Sequence, residues 1–310
     1  MKKIQIVGTE LEVPQIALGC MRILEHDLKG AQEYLETALE LGLNFFDHAD
    51  IYGDGGAERM FGEAIGMCPS VRDKVILQSK CGIRRDPGKD TYFDFSKEYI
   101  LRCVDGSLKR LGTDYLDLLL LHRPDALVEP EEVADAFDTL QRAGKVRYFG
   151  VSNEKPMQIA LLQKYVNQKI AVNQLQFSIT NATMVSNGIH VNMEDDAALD
   201  RDGSVLDYCR LHDITIQPWS PFQFGFFGGT FLGNPAYAAL NQKIDELAEK
   251  YGVTNSAIAI AWILRHPAHM QPILGSTNPE RIRGIAKAMD IELTREEWYG
   301  IYCAAGNVLP

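Results

Sequence analysis

Four residues of this 310-residue chain combine types and positions suited to proton chemistry. Asp47 and Tyr52 share the segment "FFDHADIYG", Lys80 ends the apolar run "VILQSK", and His122 ends "LDLLLLH". A free phenol has a pKa of about 10 and gives up its proton reluctantly near neutrality. A nearby lysine cation stabilises the phenolate and lowers that pKa, and an aspartate holds that lysine charged and oriented. A histidine can then hydrogen-bond the oxygen that receives the proton. Together they suit general-acid delivery to a carbonyl oxygen, an effect typically worth about 10²–10⁴-fold. None of the four is redox-active, so a reduction here would draw its electrons from a hydride cofactor.

Such a set is useful only if the fold gathers it. Two β-rich pieces, "KIQIV" and "LEVPQI", flank "GTE" and read as an opening hairpin. Short apolar runs then alternate with stretches of helical period. The runs are "IALGCM" (16–21), "LNFFDHA" (43–49), "VILQSK" (75–80), "LDLLLLH" (116–122), "YFGVSN" (148–153), "AVNQLQF" (171–177), "TIQPWSP" (215–221) and "MQPILGS" (270–276). Between them, "SKEYILRCVDGSLKRL" opens on Ser96 as a cap, and "PEEVADAFDTLQRAGK" opens on Pro130 and Glu131. Eight strand-like runs with helices between them predict an α/β fold, a (β/α)8 TIM barrel with an N-terminal β-hairpin and C-terminal extra helices. Residues 1–310 read as a single barrel domain, because no Ser/Pro/Gly-rich linker breaks the chain. A doubly wound sheet is the alternative, but no G-x-G-x-x-G or G-x-x-x-x-G-K-[ST] occurs.

In a barrel of this kind chemistry gathers at the C-terminal ends of the strands. Asp47 lies at the tip of the second run, with Tyr52 on the loop beyond it, and Lys80 and His122 end the third and fourth. Singly, each has an ordinary explanation: a turn-forming Asp, a solvated Lys, a satisfied edge His. As a set on one rim they point to chemistry.

Composition narrows the field. The formal charge is −11, with acids and bases interleaved, which speaks against nucleic-acid or anionic-membrane surfaces. No apolar stretch approaches the roughly 18 residues a membrane helix needs, and the N-terminus does not read as a secretory signal. Six cysteines without a C-x-x-C pair read as reduced thiols of a cytoplasmic protein. Seven histidines show no H-x-H or H-E-x-x-H, so no metal site is expected.

These pieces resemble the aldo-keto reductase superfamily. "LNFFDHADIYG" is similar to its D-x-x-x-x-Y-G segment, "VILQSK" to its lysine strand and "YLDLLLLHRPD" to its histidine strand. "GKVRYFGVSN", "VNQLQF", "WSPF" and "ILGSTNPERI" follow in the family's order. "LGCMRI" and the insert "VSNGIHVNMEDDA" resemble the bacterial YdhF-like branch in particular. The resemblance implies NADPH-dependent reduction of an aldehyde or ketone, with NADH less favoured. It makes Asp47, Tyr52, Lys80 and His122 the catalytic tetrad, with Tyr52 as general acid. It also assigns Ser152, Asn153 and Gln174 to the nicotinamide carboxamide, whose mixed donors and acceptors suit those side chains. Trp219 falls where the family stacks an aromatic ring on the nicotinamide. Ser220 and the Gly225–Gly229 loop would line the pyrophosphate.

The phosphate end also has a reading of its own. In "GSTNPERI", Asn278 is an N-cap and Pro279 the first helical residue. The free N–H groups of that helix start favour an anion, with Ser276 and Arg281 placed to grip a ribose phosphate. Gly275 stands where many family members carry a lysine, so one phosphate-binding cation is missing. His48 replaces a small hydroxyl residue beside the tetrad. Arg84 and Arg85 suggest either a greeting for an acidic substrate or a solvated loop, and the Phe/Gly-rich "SPFQFGFFGGTF" either core packing or a mobile cover. Cys20 and Cys81, near the expected site, read either as inert buried thiols, the favoured reading, or as redox-sensitive ones. The expected partner is a small-molecule carbonyl substrate, and the expected assembly a monomer or weak homo-oligomer. A nicotinamide-binding regulatory or redox-sensor protein with slow turnover is the alternative. A metal-dependent barrel hydrolase is disfavoured by the missing ligand clusters.

Overall fold

A computed structural model describes residues 2–310. Twelve strands are found among them. β1 (Lys3–Gln5) and β2 (Glu12–Pro14) pair antiparallel as the expected hairpin. β3 (Ala17–Gly19), β4 (Phe45–Asp47), β5 (Ile76–Cys81), β6 (Ile83–Arg84), β7 (Tyr92–Phe93) and β8 (Leu116–Leu121) follow. The rest are β9 (Val146–Ser152), β10 (Ile170–Gln176), β11 (Thr215–Trp219) and β12 (Ile273–Leu274). Eight of them form one parallel sheet in the order β11-β10-β9-β8-β5-β4-β3-β12. The two ends of the sheet come together where Gln271 N donates to Ile216 O at 3.0 Å. This is a nearly closed (β/α)8 barrel, and each of the eight runs read from the sequence supplies one strand. The short β6–β7 hairpin was not among those runs.

Alternation along each strand explains the layers. In β8, Leu118 and Leu120 point into the barrel, whereas Leu119 and Leu121 pack outward under the helices. All four are almost fully buried, worth roughly 1.5–3 kcal/mol per side chain relative to exposure. The inner cluster joins Ala17, Phe45, Leu118, Leu120, Val172 and Ile273 to Ile6, Leu11 and Val13. The hairpin therefore plugs the N-terminal end of the barrel and leaves the C-terminal end open.

The helices carry the caps the sequence announces. Ser96 accepts from Tyr99 N at the start of the helix Lys97–Leu111, and Gly112 ends it at φ 70°, where an L side chain would be strained. Pro130 opens the helix Pro130–Arg142 at its first position. Beyond β12, the helices Pro279–Ala286 and Arg295–Ala304 are the C-terminal additions. No helix among the described residues is long and apolar enough to cross a membrane. The Phe/Gly segment divides: Phe231 is fully buried, whereas Phe226 and Phe227 are exposed.

Candidate active site

β4 delivers Asp47 to the open rim, and the alternation that sends Phe46 outward points Asp47 into the barrel beside Lys80 of β5. The Lys80 side chain is 0 % exposed, so its ammonium needs complete compensation. Lys80 Nζ donates to Asp47 Oδ2 at 2.8 Å, to the His48 carbonyl at 2.7 Å and to Tyr52 Oη at 3.2 Å. These three acceptors match the three donors of an ammonium. Burial works against the Lys80 cation, but Asp47 and Tyr52 together outweigh it and its pKa is raised.

Tyr52 sits on the turn after β4, held by its own N–H to Ala49 O and by its carbonyl, which accepts from Ala57 N. Because Lys80 has only donors to offer, the Tyr52 oxygen accepts from it, leaving the phenolic hydrogen free for another acceptor. The expectation that Lys80 would bring the phenol below its ordinary pKa is not met. Desolvation by burial is the larger influence, the nearby lysine only partly offsets it, and the pKa lies above the usual value. The phenol is thus a fully protonated donor at neutral pH.

His122 follows β8, its N–H bonded to Cys81 O at 2.8 Å. Burial, then the charges of Lys80, Arg123 and Arg85, push its pKa well below the ordinary range. The ring is therefore neutral and carries one N–H. Nδ1 is buried with no partner among the described residues, while Nε2 is not sealed in. An orphaned buried N–H is costlier than an idle lone pair, so the proton belongs on Nε2. The Tyr52 and His122 rings meet edge-on with centroids 6.0 Å apart. All four residues of the expected tetrad are gathered at one rim.

The residues expected to hold a cofactor fall into two groups. Ser152 ends β9, and Gln174 lies opposite it in register on β10. Ser152 Oγ donates to the Gln174 carbonyl at 3.2 Å, and Asn153 Nδ2 donates to Ser152 Oγ at 2.8 Å. Trp219, the last residue of β11, donates from Nε1 to Asn153 Oδ1 at 3.1 Å. Asn153 and Ser220 both adopt positive φ, 61° and 52°, a conformation that clusters at functional sites. The second group surrounds the start of the helix Pro279–Ala286. Asn278 Oδ1 accepts from Arg281 N at 3.0 Å, and Ser276 Oγ accepts from Asn278 N at 3.3 Å. A Cβ at Gly275 would meet nothing within 4 Å, and the Arg281 side chain is exposed. These donors and the open space above them fit a phosphorylated nucleotide. His26 Nε2 reaches Thr277 Oγ1 at 2.7 Å from the β3 loop.

Several neighbours were missed or left open by the sequence reading. Gln78 Nε2 donates to Asp47 Oδ1 at 2.6 Å, and Gln174 Nε2 joins it at 3.1 Å. Gln78 sits two residues before Lys80, hence on the same strand face, and that spacing was a usable signal. Arg123 lies over the Trp219 and Phe226 rings at 5.6 and 5.8 Å. Arg84 is paired with Asp86 and Asp94, leaving Arg85 exposed and without an ion pair among the described residues. Cys20 and Cys81 are buried, and desolvation pushes both thiols well up, as inert thiols require. Glu154, next to Asn153, is 4 % exposed, and burial followed by Asp125 lifts its carboxyl to about 7.

Comparison with known proteins gives one consistent picture. The sequence model of the Aldo/keto reductase family matches residues 15–302. A 6-dehydroglucose reductase of Agrobacterium fabrum is 34% identical over 307 residues, covering 96% of each chain. The oxidoreductase YdhF of Escherichia coli is 33% identical over 311 residues, covering 98% of each. Among solved structures, the thermostable aldo-keto reductase Tm1743 in complex with the inhibitor epalrestat superposes with a TM-score of 0.76 at 26% identity, covering 98% of this chain and 100% of that one.

Proposed function

The chain belongs to the Aldo/keto reductase family, and from that premise we propose that it reduces an aldehyde or ketone to the alcohol with NADPH, Tyr52 acting as general acid. The family makes it an NAD(P)H-dependent oxidoreductase of small carbonyl compounds. The single observation that carries the finer reading is the direction of the hydrogen bonds at Tyr52. Lys80 is donor only, so the phenolic oxygen accepts from it and the phenolic proton remains deliverable.

A bound nicotinamide cofactor supplies the hydride. The protein's part is positioning and proton management. Neutral His122, with its N–H on Nε2, donates to the carbonyl oxygen and sets it beside the Tyr52 hydroxyl. As negative charge develops on that oxygen, Tyr52 gives up its proton and Lys80 stabilises the phenolate left behind. Asp47 keeps Lys80 charged within the buried site. Ser152, Asn153, Gln174 and Trp219 would hold the nicotinamide end, while Ser220, Gly275, Ser276, Asn278 and Arg281 would hold the phosphates. Arg281 and Ser276 support NADPH over NADH, because a guanidinium and a hydroxyl beside a helix start suit a ribose phosphate. We read residues 1–310 as one barrel domain acting in the cytoplasm. The test is NADPH consumption across a panel of aldehydes and ketones, with wild type beside Tyr52→Phe.

A further inference from the structure

The middle layer of this barrel is built from amides. Inward positions of such barrels are usually filled by branched apolar side chains, yet here Gln78, Gln174, Gln217 and Gln271 face one another, all buried. Gln78 Nε2 and Gln174 Nε2 each donate to Asp47 Oδ1 and also to Gln217 Oε1, the latter at 2.8 and 3.3 Å. Gln217 Nε2 donates to Gln271 Oε1 at 2.9 Å, and Gln271 Nε2 to the Pro14 carbonyl at 2.7 Å. A hydrogen-bonded column thus runs from the hairpin plug up to the Asp47 carboxylate.

Its polarity is fixed by its ends. Both the Pro14 carbonyl and an ionised carboxylate can only accept. Gln271 must therefore turn its nitrogen down and its oxygen up, and Gln217 must follow. Gln78 and Gln174 then complete the column as the amides that donate both ways. One detail shows what this arrangement serves. Gln78 Oε1 is left buried without a partner among the described residues, a state that costs about 1–3 kcal/mol. Flipping that amide would set its oxygen against Asp47, acceptor facing acceptor. The carboxylate's need decides the orientation.

We propose that Gln78, Gln217 and Gln271 are positioning residues: they lock the Asp47 carboxylate in the orientation that holds Lys80 against Tyr52. This rests on the role proposed above for Asp47, Lys80 and Tyr52. The column leaves one Asp47 oxygen for Lys80 and gives the other its two amide donors. It also leaves Gln174 Oε1 as the only end of that side chain free for a ligand, which makes it an acceptor for a carboxamide N–H.

The test replaces the column without opening a cavity. Gln217→Met with Gln271→Met exchanges both partners of their mutual hydrogen bond for apolar groups of similar shape, a change the fold tolerates better than losing one partner, and it takes from Gln78, Gln174 and the Pro14 carbonyl the partners the column gave them. Tyr52 is faced by Lys80 and Asp47, by His122 and Arg123 beyond β8, and by Cys20 beyond β3, and the variants alter none of these. The first readout needs no turnover: the Tyr52 resonance in protein labelled at the tyrosine ring carbon bearing oxygen, assigned with Tyr52→Phe and followed through alkaline pH. A loosened Asp47 holds Lys80 less firmly, although Gln78 and Gln174 remain as its amide donors. The weaker hold on the cation makes the phenol harder to ionise, and its titration moves up by about half a unit or more. The second readout is kcat, falling about tenfold with its alkaline limb shifted the same way and cofactor affinity little changed. An unshifted Tyr52 titration overturns the proposal, as does a fall in kcat with an unshifted alkaline limb, which is the mark of simple core damage. If wild type reduces no carbonyl, the functional reading has failed, and the resonance still decides the column. If the double variant does not fold, Gln271→Met, farthest along the column from Asp47, decides it alone.

Discussion

Replacing Lys80 by Met removes the cation from a pair whose side chains are 0% and 3% exposed and whose atoms are 2.8 Å apart. At an effective dielectric of about 20, two charges at that distance attract by roughly 6 kcal/mol, much of which the desolvation of both ions takes back. What the variant leaves is a buried carboxylate facing only the Gln78 and Gln174 amides, and such half-broken pairs cost about 3–5 kcal/mol. Asp47→Asn leaves the reverse, a buried ammonium with the His48 carbonyl and the Tyr52 oxygen, at a similar cost. The double variant holds no uncompensated charge, and an Asn can still accept from Gln78. Its destabilisation should therefore be smaller than the sum of the two singles by at least about 2 kcal/mol. Urea unfolding followed by circular dichroism and by tryptophan fluorescence gives all four corners of the cycle. Additive losses would refute the reasoning, because they would mean that Lys80 and Asp47 do not compensate one another in the folded protein.

The Glu154 carboxyl titrates at about 7 against an ordinary 4.5, pushed up by burial and then by Asp125. A raised folded-state value gives stability that is fully present below the unfolded pKa and is lost as pH rises through about 7. Unfolding free energy should fall between about pH 5 and 8 by up to roughly 3 kcal/mol from this group. Glu154→Gln should flatten that slope in urea titrations at several pH values; parallel curves would contradict it. Arg281→Ala should weaken NADPH binding about tenfold or more while changing NADH binding little, read by fluorescence titration. Equal losses for both nucleotides would remove Arg281 from the phosphate site.

Much of this architecture was legible because barrel strands are short, apolar and separated by helices with strong caps. Asp47, Lys80 and His122 could be placed on one rim because each stands at the end of a short apolar stretch. The β6–β7 hairpin was not legible: two residues per strand carry no periodicity, and "IRRDPGKDTYF" reads as an ordinary loop. The glutamine column lay partly in view, since Gln78 and Lys80 share a face by spacing. Its link to Gln217 and Gln271 depends on the relative stagger of distant strands, which a single sequence does not disclose. The same holds for the Tyr52 phenol. Its lysine neighbour followed from residue types, but the burial that outweighs that neighbour is a property of the closed barrel. Arg123 over Trp219 likewise joins the loop after β8 to the end of β11, an approach set by tertiary packing.

The central claim is that Tyr52 protonates a carbonyl oxygen while NADPH supplies the hydride. The most direct measurement is NADPH oxidation with aldehydes and ketones by wild type and Tyr52→Phe, with cofactor affinity measured on both. Turnover by wild type that falls by about 10²-fold or more in the variant, at unchanged NADPH affinity, is the predicted result. Equal turnover by both proteins would contradict the assignment of Tyr52. Tight NADPH binding without turnover by either would favour a nicotinamide sensor.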